Sequence, residues 1–149
     1  MADLKARSAA LMDTPQEAEA QFYESMRDAD LERMMAIWSD DEDIVCVHPG
    51  GGRLVGPRAV RAAFEAIFST GNIAVEPEHV RRVQTMGTCV SSVLERVDMV
   101  TSEGTRRGWI VATNVYVKSA QGWRLVAHHA SPGLIDEPAD ADEAPAVLH

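Results

Sequence analysis

The sequence predicts an α+β domain, with helices gathered in its first half and a mostly antiparallel sheet in its second. Three observations carry this. Helix-start signals and apolar stripes at helical spacing occupy residues 14–68, interrupted by one short apolar run. Four β-rich runs follow from Ile73 onward, separated only by short turns. The resulting order is helix, helix, strand, helix, then four strands in a meander, with no internal repeat.

Thr14-Pro15-Gln16-Glu17 opens the first helix. Threonine caps, proline suits the first helical position, and Glu17 completes a capping box. The helix is expected to run to about Arg27. Ala18, Phe22, Ser25 and Met26 fall on one stripe, with Ala20, Tyr23 and Arg27 beside it. Asp28-Ala29-Asp30 breaks it, and Asp30 caps a second helix, Leu31 to Trp38. Asp43 to His48 reads as a strand, stopped by Pro49 and by Gly50 to Gly52, a flexible lip. Those glycines lack the following Lys and Ser/Thr of a phosphate loop. Gly56-Pro57 opens a third helix, to about Phe68. Ile73 to Thr85 is a strand whose Pro77 marks an edge or a bulge. Thr88 to Thr101 pairs with it. The closing hairpin joins Trp109–Lys118 to Trp123–Ala130 through Ser119-Ala120-Gln121-Gly122.

Length and composition bound the function. The 149 residues suit a single domain with one core, 46% hydrophobic and 25% charged. A net charge of −9 argues against sequence-independent nucleic-acid binding, which needs a basic face. Arg81-Arg82 and Arg106-Arg107 read as solvated strand ends. No run approaches the roughly 18 apolar residues of a membrane span, and no secretory signal opens the chain; the expectation is a cytoplasmic protein with no membrane partner. Cys46 and Cys89 lie in apolar strand patterns without metal-type spacing, so they read as buried thiols. Residues 1–13 read as a flexible arm, 14–133 as the domain, and 134–149, acidic and carrying Pro138 and Pro145, as a disordered tail.

A few residues stand out chemically. His48 closes the first strand, and a histidine that titrates near neutrality is competent as acid or base. Asn114 is an amide among apolar strand residues, which must be satisfied if buried. Strict alternation puts Tyr116 on its face, and puts His129, with Trp123 and Leu125, opposite His128. Ser131 then shares the face of His129. Trp38, Met34, Met35, Phe64 and Phe68 read first as core and second as pocket wall. Glu95 is either a buried carboxylate or, the reading preferred from the sequence, an outward partner of Arg82 or Arg107.

The order of elements and certain residues together resemble the nuclear transport factor 2-like superfamily. Within it, they are most similar to the SnoaL-like group that includes the association domain of calcium/calmodulin-dependent kinase II. The residues are Asp28-Ala29-Asp30-Leu31, Trp38-Ser39-Asp40-Asp41, His48-Pro49 with Gly56, Thr113-Asn114-Val115-Tyr116 and Gly122-Trp123-Arg124-Leu125-Val126, then His129 and Ser131. The resemblance spans residues 14–133. It implies a cone-shaped, strongly bent sheet wrapped around three helices, with a pocket. It places His48 where the family's steroid isomerases carry their proton-moving carboxylate, and it turns Asn114 and His129 into the pocket. It sets Phe22, not Tyr23, where those enzymes keep a helix tyrosine, so their proton-donating pair is not intact.

The function implied is binding of a small molecule of unknown identity, with cofactor-independent proton transfer or hydration/dehydration if the pocket is catalytic. His48 would be the acid or base, with Asn114 and His129 as further catalytic residues. Tyr116, Trp38, Tyr23, Phe22, Phe64 and Ser131 would line the pocket. No metal and no cofactor is called for. The alternative is a non-catalytic association module, and a homodimer through the sheet is expected either way. A second alternative is carbonic anhydrase-like activity, since Ala127-His128-His129-Ala130-Ser131 keeps part of a His-His-His-Ser-Ser run.

Overall fold

A computed structural model describes residues 12–134. Three helices, α1 (Pro15–Asp28), α2 (Leu31–Ile37) and α3 (Pro57–Ser69), pack against one sheet of six strands. The strands are β1 (Val45–Val47), β2 (Arg53–Val55), β3 (Val75–Gln84), β4 (Thr88–Thr101), β5 (Gly104–Ser119) and β6 (Gly122–Pro132). Their spatial order is β2-β1-β6-β5-β4-β3. Neighbours are antiparallel except for β1 and β6, which run parallel. This is the α+β architecture expected.

Local chemistry sets the element ends. The Thr14 side chain accepts from the Glu17 amide at 3.1 Å, and Glu17 accepts in turn from the Asp13 amide at 3.0 Å. A cap of this kind contributes about 1 kcal/mol. Ala29 ends α1 in the left-handed region, and the Asp30 side chain caps α2 through the Arg33 amide. Gly56, at φ +89, lets its N–H reach the Ile44 carbonyl just before α3 begins. Met12 is buried, and its carbonyl accepts from the Trp123 amide. The rest of the arm expected over 1–13 and nearly all of the tail expected over 134–149 lie outside the described residues.

Two features differ from the sequence expectation, and a third bears it out. The loop of glycines is followed by a strand, β2, paired with β1 as a short hairpin; three residues offer too little pattern to be read as a strand. As Pro77 led one to expect, β3 is an edge strand, and it shifts register between Glu78 and Arg81, where His79 sits at φ +49. Most consequential, β6 shifts register against β5. Val115 pairs with Ala127, but Tyr116 pairs with Leu125, so Val126 is an extra residue. A bulge of this kind inverts the facing of everything beyond it and bends the strand.

The core lies between the helices and the inner face of the sheet. Phe22, Tyr23, Met34, Ile37, Trp38, Phe64, Tyr116 and Leu125 are all closed to solvent. Each large apolar side chain so placed contributes about 1.5–3 kcal/mol. No helix among the described residues is long and apolar enough to cross a membrane.

Candidate functional site

The strand registers assemble one transverse row across the inner face. Cys46 on β1 pairs with His128 on β6, His128 with Asn114 on β5, Asn114 with Ser91 on β4, and Ser91 with Arg82 on β3. Paired residues project to the same side of a sheet, so five strands bring a thiol, an imidazole, an amide, a hydroxyl and a guanidinium into line. Helix α1 lies over this row. Its Glu19 and Tyr23 stand one turn apart and so share a face.

These groups form one hydrogen-bonded network. The Glu19 carboxylate accepts from Arg82 Nη2 (2.9 Å) and Ser91 Oγ (2.9 Å) on one oxygen. Its other oxygen accepts from Tyr116 OH (2.9 Å) and Asn114 Nδ2 (3.2 Å). Four donors on two oxygens match an acceptor-only carboxylate. Tyr23 OH donates to Glu95 Oε2 at 2.7 Å and accepts from Asn114 Nδ2 at 3.0 Å. Asn114 Oδ1 lies 2.5 Å from His128 Nδ1. An amide oxygen carries no hydrogen, so that imidazole nitrogen bears the proton and Nε2 keeps its lone pair. Asn114, wholly buried, is therefore the hub that joins both carboxyl groups to the histidine.

Burial tunes the acidities. Glu95, 4% exposed, is pushed up to about 7 by burial; the Tyr23 bond opposes this and the Glu19 charge adds to it. Burial, then the neighbouring His48 and His129, hold His128 down at about 3, so its ring is neutral. Burial, chiefly, also raises the Tyr23 and Tyr116 phenols well above their ordinary value. His48 is partly buried, and that burial lowers its pKa. Its ring stands edge-on to Phe64 at 4.9 Å and 6.2 Å from the ring of His128. Its Nε2 is 3.6 Å from Cys46 Sγ, but burial pushes that thiol up to about 12, and it stays protonated at neutral pH.

The sequence-predicted residues divide accordingly. His48 and Asn114 do not meet directly; His128 bonds to Asn114, and its ring stands 6.2 Å from that of His48. Tyr23, Tyr116, Phe22, Phe64 and Trp38 all line the interior, and Phe22 packs 5.0 Å from the His128 ring. Trp38 Nε1 is buried and has no hydrogen-bond partner among the described residues. His129 and Ser131 are corrections: both are exposed, paired with outward Thr113 and Val111. The extra residue Val126 reverses the alternation from which they were placed inside. Glu95 is a correction of the opposite sign, since it points inward to Tyr23. The His128-His129 run faces two ways, so its histidines do not converge as a carbonic anhydrase-like set would need. Among the described residues, no cluster of three or more His, Cys, Asp or Glu side chains is disposed to hold a metal ion. Sequence reasoning missed Glu19. The available signal was its position one turn before Tyr23, beside the stripe of Ala18 and Phe22.

A sheet packed on three helices, with polar groups held in one inner row, is an α+β roll. The chain belongs to the SnoaL-like domain family, whose model matches residues 16–135. It is similar to a protein of Thiobacillus denitrificans named for the association domain of calcium/calmodulin-dependent protein kinase type II. The two are 34% identical with a TM-score of 0.75, over 83% of this chain and 98% of that one. It is also similar to a Streptomyces avermitilis protein named as a dehydratase of the nuclear transport factor 2-like family. There the identity is 27% and the TM-score 0.70, over 78% of this chain and 92% of that one. The calcium/calmodulin-dependent kinase II hub of S. rosetta shares the fold, at 20% identity and a TM-score of 0.64, over 79% and 93%. Among curated proteins, the F-box protein SKIP8 of Arabidopsis thaliana is 26% identical over 117 residues, 78% of this chain. That match is 48% of the relative, so the chain spans about half the length of the curated protein it matches.

Proposed function

We propose that this domain binds a small organic molecule at the mouth of the roll and catalyses cofactor-independent proton transfer, of the isomerisation or dehydration kind, with His48 as the acid–base group. One observation carries the reading. A hydrogen-bonded path runs from Glu95 through Tyr23 and Asn114 to His128, whose ring stands 6.2 Å from that of His48. Groups with displaced acidities gathered in one place are a mark of functional sites. His48, neutral at pH 7 because burial lowers its pKa, has a nitrogen free to take a substrate proton. Glu95, near 7, is poised at the working pH, where a general acid is most effective. Asn114 is a positioning residue: it fixes the His128 tautomer and the Tyr23 hydroxyl. The Streptomyces relative named as a dehydratase supports the same class of reaction.

The test follows enolisable ketones, cyclohexanone and acetoacetate, in heavy water by proton NMR. The expected result is exchange of the protons next to the carbonyl above the buffer rate, lowered about 100-fold by His48→Ala. Exchange no faster than in buffer, or unchanged by the substitution, overturns the role of His48.

A second, compatible reading is homodimerisation through the outer face of the sheet. Val90, Val111 and Val117 lie on that face of the adjacent strands β4 and β5, each between 36% and 40% exposed. An isologous pair would cover them. The relative named for an association domain supports this. Sedimentation velocity should give a dimer; a monomer throughout the micromolar range removes the reading.

A further inference from the structure

A second site lies away from the inner row. A groove of about 450 Å³ opens where the loop between α2 and β1 meets the turn between β5 and β6. Ser39, Asp41 and Asp43 line it from the loop, and Val117, Ser119 and Arg124 from the hairpin; Ile44 and Val126 complete its wall. The loop is held in place by the Ser39 amide on the Leu125 carbonyl at 2.9 Å.

Arg124 is the anomaly. It is only 5% exposed, yet among the described residues its guanidinium makes one hydrogen bond, from Nη1 to the Trp123 carbonyl at 3.0 Å. A guanidinium has five N–H donors in a fixed fork. The Asp40 carboxylate also acts on that of Arg124, and Arg124 lines the groove, where a ligand carboxylate would match the fork in two places at once. The bulge at Val126 explains its placing, for it leaves Trp123, Arg124 and Leu125 buried in succession. At the same groove, the exposed Asp43 carboxylate makes no hydrogen bond or ion pair among the described residues, while Asp41 spends one oxygen on the Asp43 amide. The lining therefore offers one buried cation, two carboxylates and an apolar wall of Ile44, Val117 and Val126.

We propose that this groove binds a small zwitterion of the amino-acid class with an apolar body, its carboxylate on Arg124 and its ammonium on Asp43 and Asp41. The apolar wall takes the side chain, and the volume lies within the range of small-molecule sites. The site is independent of the inner row and of the proton transfer proposed there.

L-leucine is the probe, with 4-methylpentanoate, which lacks the ammonium, and 3-methylbutylamine, which lacks the carboxylate, as comparison arms. Calorimetric titration of the whole chain should show leucine binding at least about tenfold tighter than either arm, the worth of one charge-assisted contact. Asp43→Asn, a change at an exposed loop position that leaves the fold intact, should weaken leucine about tenfold and leave 4-methylpentanoate unchanged. Arg124→Gln should abolish binding of both carboxylates. Should that buried substitution unfold the chain, the Asp43→Asn result decides alone. Failure of leucine to bind up to about 10 mM, or equal affinity for leucine and 4-methylpentanoate, overturns the proposal.

Discussion

Glu19→Ala is expected to remove about 3–5 kcal/mol of folding stability, measured by urea denaturation at pH 7. The magnitude follows from what is left behind. Ser91, Asn114 and Tyr116 each donate to Glu19 and are closed to solvent. A buried donor stripped of its acceptor costs about 1–3 kcal/mol. Arg82 adds little, because its side chain is 31% exposed and turns to water. Against the 5–15 kcal/mol typical of a small domain, the variant should stand close to unfolding. Arg82→Ala takes a positive charge from a buried carboxylate but leaves its three other donors in place, so it should cost less than Glu19→Ala. A Glu19→Ala loss below that of Arg82→Ala would mean that the inner row is not held together by this carboxylate.

Glu19 also shows where the sequence stops being legible. Its neighbours were readable: Thr14-Pro15 announces α1, and the stripe through Ala18 and Phe22 gives its buried face. A glutamate beside that stripe reads as surface, because nothing nearby in sequence tells that Arg82, Ser91, Asn114 and Tyr116 will converge on it from three strands. The long strands were legible for a different reason. Val, Thr and Tyr alternate over enough residues in β5 to fix both element and facing, and Asn114 stands out there because an amide breaks the apolar face. What alternation cannot reveal is an inserted residue. Val126 looks like any strand valine, yet its bulge decides that His128 enters the core and His129 does not. The same limit put Glu95 on the wrong side: both facings satisfied its local pattern, and only packing against Tyr23 selects one.

The buried acid and the buried histidine should also write opposite signatures into stability as a function of pH. His128 has a folded pKa of about 3, below the ordinary 6.5. The unfolded chain therefore holds the extra proton between those values, and stability from this group rises with pH from about 3 to 6.5. Glu95 has a folded pKa of about 7, above the ordinary 4.5. Here the folded chain holds the extra proton, and stability from this group is lost as pH rises from 4.5 to about 7. Between 4.5 and 6.5 the two slopes oppose each other, so their joint contribution climbs below pH 4.5, levels, and falls slightly above 6.5. His48, lowered in the same direction as His128, adds to the rising side below 6.5.

Glu95→Gln separates the two. Removing the falling contribution should leave stability rising without interruption up to pH 6.5. Relative to the unmodified chain, the variant should gain on the order of 3 kcal/mol between pH 4.5 and 7. Taking the difference between the two urea-denaturation profiles cancels the contributions of groups remote from Glu95. Parallel profiles across that window would mean that Glu95 ionises as an ordinary surface glutamate does. The Tyr23 hydroxyl would then have no protonated carboxyl beside it near neutrality, and the inner row would lose its one group poised near pH 7.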